Sequence, residues 1–144
     1  MIILGATGAG KTYLACAFGT AASRGFYSVR YIRLPDLLVE ISVARTNGTY
    51  RDYMKRLRKE KLLILDEWLL YPLKETVARD VLELVEARNK VASTIFCSQY
   101  DTIEWHENLY DPTLADAICD RIIYNAYTIQ IEGESMRKRK GIPE

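Results

Sequence analysis

Histidine is almost missing from this chain: His106 is the sole one among 144 residues. It sits beside Trp105 and reads as a packing residue, so no catalytic role falls to it. Cysteine is scarce too. Cys16, Cys97 and Cys119 are odd in number, lack metal-ligand spacing and each lie in an apolar stretch, which excludes a zinc site and a disulfide framework. Buried, reduced thiols are expected, as suits a reducing cytoplasm. No apolar run approaches the length of a membrane span, and no charged N-terminal region precedes a long apolar one. The only candidate, Tyr13 to Ala22, belongs to a helix. Internal repeats and low-complexity segments are lacking as well. Charge of one sign is not in excess: 20 Lys and Arg against 19 Asp and Glu leave a net charge of +1. A case for nucleic acid must therefore come from local clustering. What the chain does have is 49% hydrophobic residues, enough for one domain with a real core.

Gly5-Ala6-Thr7-Gly8-Ala9-Gly10-Lys11-Thr12 matches G-x-x-x-x-G-K-[ST] in full. It lies between the apolar triplet Ile2, Ile3, Leu4 and a helix-like run. Glycines let the backbone bend around an anion, and the following helix aims its first N–H groups and positive dipole end at phosphates. Lys11 is expected to reach the β- and γ-phosphates and the Thr12 hydroxyl to hold Mg²⁺. The candidate nucleotide contacts run from Gly5 through Tyr13. Only four residues precede Gly5, short for a buried strand. The expectation is that the chain begins inside its domain, with Met1 either an internal methionine or an introduced start.

Apolar runs alternate with amphipathic stretches, the pattern of a parallel sheet covered on both faces. Five strands are predicted: Ile2 to Leu4, Ser28 to Arg33, Leu62 to Asp66, Ser93 to Ser98 and Ala126 to Ile131. A helix is predicted from Glu75 to Asn89, with Val77, Val81, Leu84, Val85 and Arg88 on one face. Another follows Pro112, and a third spans Leu34 to Arg45 with Asn47-Gly48 as its stop. Arg137-Lys138-Arg139-Lys140 reads as a frayed tail.

Leu62-Leu63-Ile64-Leu65-Asp66-Glu67 is an apolar strand ending in two acids, the Walker B arrangement. Ligands of open α/β sheets bind beyond the carboxyl ends of the strands. Asp66 is thus expected to bind Mg²⁺, directly or through water, and Glu67 to orient and deprotonate an attacking water. An acid directly after the Mg²⁺ aspartate is typical of the ATPase branch of P-loop proteins, in which a further strand separates the cradle strand from the Walker B strand. Thr94 to Cys97 is the candidate. Its end offers Ser98 or Gln99 as a sensor between the γ-phosphate and the water, and the sequence does not separate the two.

The stretches GATGAGKTYLAC (5–16), YSVRYIRLPDLL (27–38), LLILDEW (62–68), SQYDTIEWH (98–106), DPTLADAICDRIIYNA (111–126) and GESMRK (133–138) together resemble the IstB-like ATPases. These are transposition helpers of bacterial insertion sequences, related to the replicative helicase loaders. The resemblance covers nearly the whole chain, without the family's separate N-terminal region. It implies an AAA+ core: an α/β, P-loop, three-layer fold with a five-stranded parallel sheet in the order 5-1-4-3-2 and no C-terminal lid domain. It further implies ATP and Mg²⁺ as cofactors, a cytoplasmic homo-oligomer, and Arg121 as an arginine finger reaching a neighbouring subunit's nucleotide. A local pair of Arg121 with Asp116 or Asp120 is the competing reading. Arg137 is implied as a phosphate contact after the last strand. Arg45, Arg51, Lys55, Arg56, Arg58 and Lys59, with Tyr50 and Tyr53 interleaved, match the region that faces duplex DNA in the family; a solvated helix face explains the same charges. The implied function is an ATP-dependent regulator that assembles on DNA and recruits or activates a transposase. A helicase loader and a nucleotide-binding remnant that does not assemble are the alternatives.

Overall fold

A computed structural model describes residues 1–6, 8, 10–124 and 126–132. Five strands, β1 (Ile2–Gly5), β2 (Val29–Arg33), β3 (Leu62–Asp66), β4 (Ser93–Ser98) and β5 (Thr128–Ile131), form one sheet in the order β2-β3-β4-β1-β5. All four pairings are parallel. Read from the other edge this is the expected 5-1-4-3-2. β1 and β3 are buried at every residue, because helices cover both faces and a two-sided strand needs a continuous apolar run. The edge strands β2 and β5 are only partly buried.

Alternation along the inner strands divides the core in two. Ile3, Ile64, Ile95 and Cys97 face α1 (Lys11–Arg24), which packs through Ala15, Leu14 and Phe18. The approach is close at Gly19, where a Cβ would meet the Ile64 methyl at 3.1 Å. On the opposite face Ile2, Leu4, Leu63, Leu65 and Phe96 meet α2 (Leu34–Thr46), α3 (Tyr50–Lys59), α4 (Glu75–Arg88) and α6 (Pro112–Ile123). The short α5 (Thr102–Trp105) continues into a 3₁₀ turn, His106–Asn108. The result is the expected three layers.

The helices end where their chemistry dictates. Asp111 caps α6 by accepting from the Leu114 N–H at 2.8 Å, with Pro112 at the first helical position, where its missing N–H costs nothing. α3 sends Tyr53, Met54 and Leu57 into the core and its basic residues outward. α4 buries Val81, Leu84 and Val85 together with Arg88, whose guanidinium donates to the carbonyls of Leu57, Glu60 and Ser93 and to the Thr94 hydroxyl. Arg88 therefore ties the end of α3 to the start of β4.

Candidate nucleotide site

In a parallel sheet every strand delivers its carboxyl end to the same edge. Here β1, β3 and β4 bring the glycine-rich loop, the acid pair and Gln99 to one cleft of about 310 Å³, lined also by Lys11, Thr12 and Trp68. Gly8 (φ 82°) and Gly10 (φ 100°) take left-handed conformations in the loop, which a Cβ would oppose. Gly10 caps α1 without any side-chain hydrogen bond. The first N–H groups of this 14-residue helix therefore lack an intrahelical acceptor and present positive dipole to the cleft.

Lys11 folds back over the loop, its ammonium donating to the carbonyls of Gly5 (2.6 Å) and Ala6 (2.9 Å). Burial lowers its pKa, and the attraction of Asp66 opposes that shift. Thr12 Oγ1 donates to Asp66 Oδ2 at 2.7 Å, and the Glu67 N–H donates to Asp66 Oδ1 at 2.8 Å. Glu67 has a φ of 52°, an unusual value for a non-glycine residue and one concentrated at functional sites. The donor set, a hydroxyl and a carboxylate with an ammonium nearby, is hard oxygen chemistry that suits Mg²⁺. Cradle, charge and cleft fit a nucleoside triphosphate.

Two residues of β2 complete the site without having been singled out in the sequence. The Tyr31 hydroxyl donates to Asp66 Oδ2 at 2.5 Å; burial first, then Asp66, raises its pKa. The Arg33 guanidinium pairs with Glu67 at 2.7 Å and with Asp36 at 3.5 Å. Parallel register sets Arg33 beside Asp66, and residues two apart on a strand share a face. Polar residues at 31 and 33, at the end of a strand neighbouring the acid pair, were the available signal.

The remaining expectations divide. Ser98 is 1% exposed; its hydroxyl donates to the Trp68 carbonyl and accepts from the Tyr100 N–H and Trp105 Nε1, so Gln99 rather than Ser98 lines the cleft. Tyr13 stands exposed on α1. Arg121 does not line the cleft of its own chain. It lies by a second cavity, of about 490 Å³, at the amino ends of the strands near Leu62 and Thr94, and its partner is Glu86 at 3.0 Å, neither Asp116 nor Asp120. Arg45 is taken up by Asp80 and stacks over Tyr50 at 4.3 Å. Arg56 lies over the Tyr53 ring at 5.9 Å, and Tyr53 is buried with its hydroxyl on Glu40. Arg51, Lys55, Arg58 and Lys59 are exposed on the outer side of α3. His106 does not simply pack against Trp105; its Nε2 lies 2.8 Å from Asp116. Cys16 is exposed, against the expectation of burial, because it falls on the outer side of α1. Thr7, Ala9 and Arg137 lie outside the described residues, as does the basic tail.

Sheet order, glycine loop and acid pair together define an AAA+ P-loop core. Solved structures of the same fold include AMPPCP-bound DnaA from Aquifex aeolicus (TM-score 0.78, 20% identity, 97% of this chain and 44% of that one). DnaI is another (TM-score 0.78, 25% identity, 93% of this chain and 71% of that one). Within this class the chain belongs to the IstB-like ATP binding protein family, whose profile matches residues 1–142. The insertion sequence ATP-binding protein y4pL of Sinorhizobium fredii (strain NBRC 101917 / NGR234) is 44% identical over 140 residues, which are 97% of this chain and 57% of y4pL. The chain spans about half the length of the curated relatives it matches.

Proposed function

We propose that this chain binds and hydrolyses ATP as the core of an insertion-sequence helper, which assembles as a homo-oligomer on duplex DNA and recruits or activates a transposase. The observation that carries the reading is the convergence of Lys11, Thr12, Asp66, Glu67 and Gln99 on one cleft at the carboxyl ends of the sheet. Family membership favours the transposase over a replicative helicase as partner.

In this reading the loop from Gly5 to Thr12 and the start of α1 bind the phosphates, and Lys11 exchanges its two carbonyl acceptors for phosphate oxygens. Thr12 and Asp66 would hold Mg²⁺, which when bound would supply positive charge for the transferring phosphoryl group. Glu67 takes the proton of the attacking water, and Gln99 orients that water. Arg121, remote from its own cleft, serves a neighbouring subunit's nucleotide. The exposed face of α3, carrying Arg51, Lys55, Arg58 and Lys59, neutralises DNA phosphates without reading bases.

The test is steady-state ATP turnover at several protein concentrations, with and without duplex DNA. Wild-type turnover per subunit is expected to rise with concentration and with DNA. Lys11→Ala is expected to lose nucleotide binding, Glu67→Gln to bind without turnover, and Arg121→Ala to lose the dependence on concentration. Turnover that survives Glu67→Gln unchanged defeats the hydrolytic assignment.

A further inference from the structure

Asp66 is 5% exposed, and the acceptor positions of its carboxylate are nearly all taken. A carboxylate oxygen offers about two acceptor positions. Oδ2 receives the Thr12 hydroxyl at 2.7 Å and the Tyr31 hydroxyl at 2.5 Å. Oδ1 receives the Glu67 N–H at 2.8 Å, which leaves a single acceptor position on the group. A threonine hydroxyl that spends its proton on Asp66 keeps its lone pairs free for a cation. How well Thr12 does so depends on how firmly Asp66 Oδ2 is held. Two of the three donors on Asp66 come from the nucleotide loop's own helix and from the next residue of the chain. The third comes from outside, from the neighbouring strand β2.

From this we infer that Tyr31 is the positioning residue of the divalent-cation site: it pins Asp66 Oδ2, so that the lone pairs of Thr12 and the remaining acceptor position of Asp66 at Oδ1 stay available to a cation. The inference rests on the reading of the cleft as a site for ATP with Mg²⁺. Tyr31 touches neither nucleotide nor cation in this scheme and acts through Asp66. Partners that orient a metal's ligands typically account for about 10–100-fold in metal affinity.

The experiment measures binding of a fluorescent ATP analogue in EDTA and across a Mg²⁺ titration, for wild type, Tyr31→Phe and Asp66→Asn. The ring retained in Tyr31→Phe keeps β2 packed, and thermal melting without ligand checks this. Tyr31→Phe is expected to match wild type in EDTA and to need about tenfold more Mg²⁺ for the same tightening. Coincident Mg²⁺ titrations for wild type and Tyr31→Phe overturn the inference while leaving the nucleotide site intact. Equal weakening of Tyr31→Phe with and without Mg²⁺ also overturns it, since a merely structural role behaves so. Failure of the parent reading looks different: wild type then binds no nucleotide, or its Mg²⁺ titration matches that of Asp66→Asn.

Discussion

Arg33 grips one oxygen of Glu67 with two of its nitrogens, Nε at 2.8 Å and Nη2 at 2.7 Å from Oε2. The candidate base is thereby held toward the outer strand, with acceptor positions on Oε2 occupied by the guanidinium instead of a water. Asp36 competes for the same guanidinium at 3.5 Å, so the grip is divided. Arg33→Ala is expected to raise basal ATP turnover by about two- to fivefold, the range of a solvent-exposed ion pair, with nucleotide affinity unchanged. A fall in turnover at equal affinity shows instead that Arg33 helps the reaction.

This pairing marks where the sequence stopped being readable. The inner strands and the acid pair were legible because a two-sided strand imposes a continuous apolar run and the loop glycines a fixed spacing, whereas the strand order came from the family resemblance; even Arg88 lay on the predicted face of α4. Tyr31 and Arg33 were not, since their meaning comes from β2 lying beside β3, a relation between elements 35 residues apart. Ser98 and Gln99 could not be ranked for a similar reason. Only the packing of Trp68 against Trp105, with ring centroids 5.9 Å apart, accounts for the Ser98 hydroxyl being used to join those two segments.

Arg88 supplies a stability prediction. It is 3% exposed, and burial lowers its pKa to about 10. No carboxylate is among its hydrogen-bond acceptors, which are the carbonyls of Leu57, Glu60 and Ser93 and the Thr94 hydroxyl. Arg88→Met removes the buried charge but leaves those carbonyls without their donor, at about 1–3 kcal/mol for each group left unsatisfied. At the lower end of that range the three carbonyls come to about 3 kcal/mol, which lowers Tm by roughly 6–12 °C in a chain of this size. An unchanged Tm shows that water reaches these carbonyls.

The cysteines give a prediction in pH. Burial pushes the Cys97 thiol up to about 12, helped by Asp66, and the Cys119 thiol up to about 11, helped by Asp120 and Asp116. A raised folded pKa means that the folded chain keeps protons the unfolded chain has shed. Stability is therefore fully present below about pH 9 and declines as pH rises from there toward 11–12. Denaturant midpoints at pH 8 and 10.5 are expected to fall in that order. Iodoacetamide at pH 8 is expected to label the exposed Cys16 alone, because the thiolate is the nucleophile. Equal labelling of Cys97 in the folded protein contradicts its burial.

Arg45 and the outer residues of α3 were grouped together as candidate DNA contacts, and their surroundings now separate them. Asp80 is 5% exposed and accepts from both terminal nitrogens of Arg45, with the Tyr50 hydroxyl 3.4 Å away. Removing Arg45 strands that carboxylate, so Arg45→Ala is expected to cost about 1–2 kcal/mol of stability, measured by denaturant unfolding. Lys55 and Arg58 have no such duty. Each phosphate contact contributes about 0.9 to the slope of log K against log salt on duplex DNA. The double substitution Lys55→Ala with Arg58→Ala is expected to flatten that slope by about two, weakening all duplex sequences alike and leaving Tm in place. Arg45→Ala, assayed below its melting range, is expected to leave the slope as it is. The reverse pattern, with the slope lost on replacing Arg45 and retained without Lys55 and Arg58, moves the DNA surface from α3 to the end of α2.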